Sequence, residues 1–140
     1  MKLRNILLTI SSVVFLDQIT KAAFTNKQYL LMGYPIISYT ENTGAAFSIL
    51  EGWKWLLISV AIASLIVLAY YTTRIRETEK VLQINIGMLM GGMIGNLSDR
   101  IILGYVRDFI NIKYWPTFNI ADSAMFISII LLVVYFIKNK

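Results

Sequence analysis

Asp108 and Asp122 are the acidic residues whose positions are hardest to explain by packing alone. Asp108 lies in Gly-Tyr-Val-Arg-Asp-Phe-Ile, and Asp122 follows 14 positions later in Phe-Asn-Ile-Ala-Asp-Ser. No basic residue lies one helical turn from Asp122, which is the last charge before Lys138. Because an unpaired acid at the edge of an apolar stretch is costly, it indicates function more than structure.

Two neighbouring carboxylates can hydrolyse a peptide bond without a metal. Their repulsion keeps a proton on one while the other is ionised. The ionised member takes a proton from an attacking water, and the protonated member assists the carbonyl oxygen and the leaving amine. The chain has no Cys and no His, so thiol nucleophiles, disulfides and imidazole bases are excluded. We therefore expect neither a metal site nor any other cofactor.

Two further polar groups lie in the apolar part of the chain. Asp17 and Lys21 are four residues apart, in the acid-first order that favours an ion pair on one helix face. Asn96, Asp99 and Arg100 lie together at the end of another apolar stretch. A purely structural interpretation pairs Asp99 with Arg100 at a helix C-terminus, where the helix dipole favours the guanidinium.

Four apolar stretches must position these side chains, and each is long enough to cross a bilayer. A spanning helix needs about 20 mostly apolar residues, and such stretches occur at about 5–24, 53–71, 81–99 and 119–137. The composition, 57% hydrophobic and 15% charged, agrees with this interpretation. The sequence predicts an all-α polytopic membrane protein with four transmembrane helices and a single domain over 1–140.

The third stretch also contains a pattern for close helix packing. Small residues recur at every fourth position, a spacing that lets another helix approach closely. These residues are Gly87, Gly91 and Gly95.

Two longer loops, about 25–52 and 100–118, separate the spans on one side. Residues 34–40 are rich in β-forming side chains, and a turn signal follows at 42–44, so we expect a short strand or hairpin there. Aromatic residues crowd the same side, as in an interfacial belt. They occur at positions 29, 34, 39, 47, 53, 55, 105, 109, 114, 115 and 118.

Basic residues predict the orientation of the chain. An even number of spans places both termini on one side, with seven Lys and Arg against five in the longer loops. The positive-inside rule makes this side cytoplasmic, so both acids lie near the outer face. The net charge of +5 is scattered and forms no stripe, which favours a membrane surface over nucleic acid as partner. The seven are Lys2, Arg4, Arg74, Arg76, Lys80, Lys138 and Lys140.

Five motifs, in this order on a four-span chain, resemble the lipoprotein signal peptidase (signal peptidase II) family over essentially the whole length. They are Leu-Asp-Gln-Ile-Thr-Lys at 16–21, Asn-Thr-Gly-Ala-Ala-Phe-Ser at 42–48, Gly-Asn-Leu-Ser-Asp-Arg at 95–100, Gly-Tyr-Val-Arg-Asp-Phe-Ile at 104–110 and Phe-Asn-Ile-Ala-Asp-Ser at 118–123.

The resemblance implies an aspartic endopeptidase of the bacterial cytoplasmic (inner) membrane. Such an enzyme cuts the signal peptide from diacylglyceryl-modified prolipoproteins, on the amino side of the lipidated cysteine, and is inhibited by globomycin. The resemblance also implies four membrane helices with a small extracytoplasmic β-cradle and a short helix on the membrane surface. We expect a monomer whose partners are prolipoprotein substrates, membrane lipid and globomycin-type inhibitors, and not nucleic acid.

Roles for individual residues also follow from the resemblance. Asp108 and Asp122 match the family's catalytic aspartates. The positions that line the substrate or inhibitor site are matched by Asn42, Gly44, Asn96, Arg100 and Asn119. The polar positions that support this site are matched by Asp17, Lys21 and Asp99.

Three alternatives remain open from the residues themselves. A Ser-Lys peptidase would use one of the nine serines with Lys21 as base, and it predicts that Asp108→Asn stays active. A small transporter or proton relay would use the intramembrane carboxylates to carry ions, although the chain shows no inverted repeat or broken-helix pair. A purely structural membrane subunit leaves the unpaired Asp122 unexplained.

Overall fold

Four long helices and one small sheet form the computed structural model, which describes residues 2–45 and 49–138. In chain order the elements are α1 (Lys2–Phe24), β1 (Gln28–Leu31), β2 (Tyr34–Asn42), α2 (Lys54–Arg74), α3 (Lys80–Ile102), β3 (Val106–Ile110) and α4 (Ile120–Lys138). All four helices are long and apolar enough to cross a membrane. The predicted architecture of four spanning helices with a small sheet is confirmed.

The helices continue beyond the apolar stretches from which they were predicted. α1 begins at Lys2, and α3 runs to Ile102, past the polar residues at 96–100. An apolar stretch marks the part of a helix that suits lipid, whereas the backbone hydrogen bonds continue into the polar boundary. The polar end of α3 is therefore helical, and this gives its side chains fixed directions.

α3 is the central helix of the bundle. Ten residues of α3 are buried inside the protein, compared with one residue of α2, Ile58. We call Gly87, Gly91 and Gly95 the glycine stripe, and its first two members face α1. A Cβ on Gly87 would lie 2.8 Å from Thr9 Cβ, and one on Gly91 would lie 2.9 Å from Val13 Cβ. The predicted close approach of a second helix therefore occurs, and it brings the polar residues of α1 against those of α3.

The three strands form an antiparallel sheet in the order β1-β2-β3. β1 and β2 are joined at Met32 and Gly33, whose φ angles of 50° and 80° suit the twist of a tight hairpin. β2 covers the predicted 34–40 strand and continues to Asn42, where it pairs with β3. The pairing places Thr40 opposite Asp108, so the sheet carries one of the two acids.

Some of the predicted features fall in parts of the chain that the structure does not describe. Residues 46–48, the end of the 42–48 motif, lie outside the described residues, as does Lys140. The elements assigned in the described part of the longer loops are strands only. The short surface helix implied by the resemblance therefore stays a prediction.

Candidate active site

A cleft of about 830 Å³ lies between β2, the segment 111–118 and the adjoining ends of α3 and α4. Asp108 and Asp122 both line this cleft. Three of the other predicted site residues line it as well: Asn42, Asn96 and Arg100. The topology thus brings together residues from four separate parts of the chain.

Asp108 is buried on β3, with 1% of its surface exposed. Asn42 Nδ2 donates to its Oδ2 at 2.9 Å, and Asn119 Nδ2 donates to its Oδ1 at 2.7 Å. Burial, and after it the charge of Asp122, raise the pKa of Asp108 to about 7, against the opposing effect of the two amide hydrogen bonds. Asp108 can therefore hold a proton near neutral pH.

Asp122 lies in the first turn of α4, where it completes a reciprocal cap with Asn119. The Asp122 N–H donates to Asn119 Oδ1 at 2.9 Å, and the Asn119 N–H donates to Asp122 Oδ2 at 3.2 Å. Asn96 Nδ2 donates to Asp122 Oδ1 at 2.7 Å. A carboxylate here faces the positive end of the helix dipole, which stabilises its charged form.

Asn119 joins the two acids directly. Its side-chain Nδ2 donates to Asp108, while its backbone N–H donates to Asp122. Asn119 is itself fully buried and lies behind the cleft wall, where its Nδ2 also reaches Asn96 Oδ1 at 3.1 Å. The two carboxylates are thus separated by one amide residue and face one cavity, an arrangement suited to sharing a proton.

Lys21 lies behind the cleft and binds Asn96, one of the residues that line it. It is fully buried, and its Nζ contacts three oxygens: Asp17 Oδ2 at 2.8 Å, Asn96 Oδ1 at 2.9 Å and Asp99 Oδ2 at 3.2 Å. These contacts match the three N–H donors of an ammonium group. Because Lys21 binds the oxygen of the Asn96 amide, it turns the amide nitrogen toward Asp122.

Asp17 fixes the start of α4 from the side of α1. Its Oδ1 accepts the Ala121 N–H at 2.9 Å, which satisfies a further free donor of the helix N-terminus. This contact requires a glycine on α3, since a Cβ on Gly95 would lie 2.6 Å from Asp17 Oδ2. Gly95, the last residue of the glycine stripe, therefore lies where α1, α3 and α4 meet.

The sequence-based interpretation that pairs Asp99 with Arg100 is wrong, because Asp99 binds Arg107 instead. Asp99 Oδ1 is 2.8 Å from Arg107 Nη2, and its Oδ2 accepts from Arg107 Nε at 3.2 Å. Consecutive residues on a helix point about 100° apart, which leaves Arg100 facing the cleft. There, Arg100 Nη2 donates to the Gly44 carbonyl at 2.7 Å.

The loop after β2 is held by contacts among Asn42, Gly44 and Arg100. Asn42 Oδ1 accepts the Gly44 N–H at 2.9 Å, a turn typical of Asn side chains. The same Asn42 donates to Asp108 through its Nδ2. Arg100 closes this arrangement by holding the buried Gly44, so α3 and the loop are tied together beside the acids.

Sequence reasoning missed Gln18 and Arg107. Arg107 Nη2 donates to Gln18 Oε1 at 2.7 Å, and Gln18 Nε2 lies 3.2 Å from Asp99 Oδ1. The hydrogen bond to Asp99 raises the pKa of Arg107 above its ordinary value. Both residues lie within the quoted motifs, and the alternation of side chains along a strand could have shown that Arg107 faces away from Asp108.

Comparison with known proteins gives the family. Residues 9–138 match the sequence model of the family described as Signal peptidase (SPase) II. The chain belongs to the signal peptidase II family. It is therefore a peptidase, a hydrolase, and a bacterial membrane protein with several spans.

Curated members of the signal peptidase II family match most of the chain. The lipoprotein signal peptidase of Halothermothrix orenii is 38% identical, over 88% of this chain and 88% of that protein. The lipoprotein signal peptidase of Pseudomonas aeruginosa is 38% identical, over 95% of this chain and 88% of that protein.

Solved structures show the same fold. One bacterial membrane enzyme, determined in meso at 1.9 Å resolution, is 31% identical with a TM-score of 0.84, over 96% of this chain and 94% of that one. Another, determined in meso at 2.3 Å, is 32% identical with a TM-score of 0.83, over 96% of this chain and 88% of that one.

The contacts of Lys21 bear on which type of peptidase this signal peptidase II is. Within the described residues its ammonium contacts two carboxylates and one amide oxygen, and none of its partners there is a serine. A general base in a Ser-Lys peptidase must reach the hydroxyl that it activates. The geometry therefore favours the carboxylates over Lys21 as the reacting groups.

Proposed function

We propose that this chain is a membrane aspartic endopeptidase that removes signal peptides from diacylglyceryl-modified bacterial prolipoproteins. It cuts on the amino side of the lipidated cysteine and uses Asp108 and Asp122 with one water molecule. Membership of the signal peptidase II family supports signal-peptide cleavage from prolipoproteins. The observation that carries the mechanism is the joining of both acids by Asn119 at one cleft.

In this mechanism Asp122 is ionised and Asp108 is protonated. Asp122 takes a proton from the water as its oxygen attacks the scissile carbonyl, and Asp108 hydrogen-bonds the carbonyl oxygen. The C–N bond breaks as the nitrogen takes a proton from the acid pair. The raised pKa of the buried Asp108 supports its being protonated, and the position of Asp122 in the first turn of α4 supports its being ionised.

Arg100 stabilises the developing negative charge on the carbonyl oxygen. Asn96 and Asn119 already donate to the acids. Arg100 lines the same cleft, donates to Gly44 through one nitrogen, and has further N–H groups to offer a substrate. Asn42 and Gly44 shape the adjoining wall, while Asp17, Lys21 and Asp99 hold the amides and the helix start in place.

The location of the cleft suits a lipidated substrate. Its wall continues along α4 to Phe126 and Ile127, which are exposed on the lipid-facing length of the helix. The acyl chains of the substrate thus stay in lipid while the bond beside the lipidated cysteine reaches the acids. We place both termini in the cytoplasm and the acids near the outer face, and we propose a globomycin-sensitive monomer.

The decisive experiment measures cleavage of a lipidated prolipoprotein by the purified protein in detergent, with a gel shift as readout. General acid–base catalysis contributes about 10²–10⁴-fold, so Asp108→Asn and Asp122→Asn should each lose at least about 100-fold in rate. Both variants should still co-purify with the substrate, because the exchange keeps the shape of the cleft. Globomycin should block the wild-type reaction.

Glu51→Gln is the matched control, since Glu51 is an exposed carboxylate that lines the same cleft. It should cleave at the wild-type rate. Full activity in both aspartate variants would overturn the mechanism. If Lys21→Ala and one serine variant were inactive in that case, the Ser-Lys alternative would replace it.

A further inference from the structure

The tip of the β1–β2 hairpin is an exposed apolar surface that the catalytic site does not use. We define the hairpin tip as Tyr29, Leu30, Leu31 and Met32. β1 is an edge strand of the sheet, and residues 28–40 contain no charged side chain. The tip therefore lacks the charges that soluble proteins usually place on an edge strand.

Both faces of β1 present apolar side chains to the surroundings. The exposed fractions are 49% for Tyr29, 63% for Leu30, 59% for Leu31 and 101% for Met32. Successive strand residues point to opposite faces, and a strand between protein and water normally has one polar face. Met32 also occupies a tight-turn position where Asn or Gly is usual. These features suit lipid better than water.

The base of the hairpin packs against the end of α1. Phe24 is the last residue of α1, and its ring contacts that of Tyr29 edge-on with centroids 6.3 Å apart. Phe24 also stacks on Phe109 of β3 with centroids 5.0 Å apart. At about 3.3 Å per residue, the four residues of β1 extend about 13 Å. The hairpin tip therefore lies within roughly this distance of Phe24, the last residue of the α1 span.

We propose that the hairpin tip inserts into the lipid on the side of the membrane where α1 ends. The apolar side chains enter the boundary between headgroups and acyl chains, and Tyr29 lies at headgroup level, where aromatic residues are favoured. The partner is the bilayer itself, continuous with the lipid around the four helices. This inference does not depend on the proposed function.

Insertion gives the sheet a second attachment to the membrane. β2 is paired on one side with β1 and on the other with β3. The same strand places Thr40 opposite Asp108 and ends at Asn42, which donates to Asp108. A lipid-anchored hairpin therefore holds the strand that contacts Asp108 at a constant depth.

Spin labels on single cysteines test the proposal, because the chain has no native Cys to mutate. Met32→Cys and Leu30→Cys are each labelled in the full-length protein and reconstituted into phosphatidylcholine–phosphatidylglycerol liposomes. Accessibility to molecular oxygen, which concentrates in lipid, is compared with accessibility to a water-soluble nickel chelate. Both labels should show high oxygen and low nickel accessibility.

Two reference sites calibrate the result. Ile66→Cys reports the lipid-facing side of α2, where Ile66 is 64% exposed, and Thr78→Cys reports the exposed turn between α2 and α3. Ratios at positions 30 and 32 near that at position 66 support insertion. Ratios equal to that at position 78 would place the tip in water and overturn the proposal. Protection from both reagents would indicate contact with a second copy of the chain, and would also overturn it.

Discussion

Asp108 and Asp122 have the same side chain but differ in their surroundings. Asp108 comes from a strand and is buried, with a pKa raised to about 7. Asp122 accepts a backbone N–H in the first turn of α4, where a negative charge is favoured. Since the two groups titrate as a pair, the difference decides where a single shared proton is held. We infer that Asp108 holds it.

The raised pKa of Asp108 predicts a pH dependence. If protonated Asp108 is needed, the cleavage rate should fall as the pH rises through about 7. The rate is measured from pH 5 to pH 9 with saturating substrate, and the gel shift of a pre-cleaved product serves as the detection control. A rate that keeps rising above pH 8 would contradict the assignment of the proton to Asp108.

The raised pKa of Asp108 also affects the stability of the fold. Its effect is opposite to that of a carboxylate whose pKa is lowered by folding. The folded pKa of about 7 lies above the unfolded value of about 3.9, so the unfolded chain loses its proton first. Between these values the native state binds more protons, and the free energy of unfolding decreases as pH rises. Asp108 therefore destabilises the fold at neutral pH, as expected if it has the catalytic role proposed above.

At the scale of elements, the alternation of side chains along β3 directs Asp108 and Arg107 to opposite faces of the strand. Asp108 faces the cleft, while Arg107 faces α3 and α1 and contacts both oxygens of Asp99. The Arg107 backbone N–H adds a further bond to Asp99 Oδ2 at 3.1 Å. The strand is thus fixed to the helices through one residue, and this fixes the neighbouring acid.

Arg107→Met should destabilise the protein and slow cleavage. It removes the charged hydrogen bonds to Asp99, each worth about 1.5–3 kcal/mol, and frees β3 to move Asp108. Arg107→Lys should be intermediate, because it keeps the charge but not the planar fork of donors. Thermal unfolding in detergent and the cleavage rate are the measurements.

Lys113→Met is the control for Arg107, since Lys113 is an exposed basic residue in the following loop. It should leave the unfolding temperature unchanged. Wild-type stability and activity in Arg107→Met would show that β3 is positioned by its strand pairing alone.

The helices were predictable from the sequence, while several contacts at the site were not. Apolar stretches identify α1 to α4 because lipid requires a continuous run of apolar residues. The pairing of Asp99 with Arg107 depends on β3 folding back on the end of α3, which residue spacing does not encode. β1 was missed for a similar reason: it has only four residues and no polar–apolar alternation. The site residues were accessible mainly through motifs, because Asn42 and Asn119 come together only at Asp108, and Asn42 reaches it only through the long-range pairing of β2 with β3.

At the scale of the whole molecule, several of the basic residues that make up the charge bias are bound within the protein. Arg100 donates to the Gly44 carbonyl, and Arg107 is paired with Asp99, so two of the five basic residues in the longer loops are engaged within the protein. Lys2 Nζ also contacts the carbonyl of Ile75 at 2.9 Å, which joins the start of α1 to the α2–α3 turn. Engaged basic side chains thus occur on both sides, so the proposed orientation still rests on the excess of seven basic residues over five.

Cysteine labelling in spheroplasts tests this orientation. Lys113→Cys should react with a membrane-impermeant maleimide in intact spheroplasts, because we place the 111–118 segment outside. Thr78→Cys should react only after lysis. Labelling of Thr78→Cys in intact spheroplasts, with Lys113→Cys protected, would reverse the orientation and place the acids on the cytoplasmic side.

The segment between the acids is joined at its base. Ile110 N–H donates to the Phe118 carbonyl at 2.8 Å, and the Phe118 N–H returns to the Ile110 carbonyl at 3.0 Å. Residues inside this closure, including Trp115, line the cleft, while the backbone pairing of Ile110 with Phe118 connects the strand of Asp108 to the start of α4. If the two acids are the reacting groups, we therefore expect changes within residues 111–117 to alter which signal peptides are accepted more than they alter the chemistry.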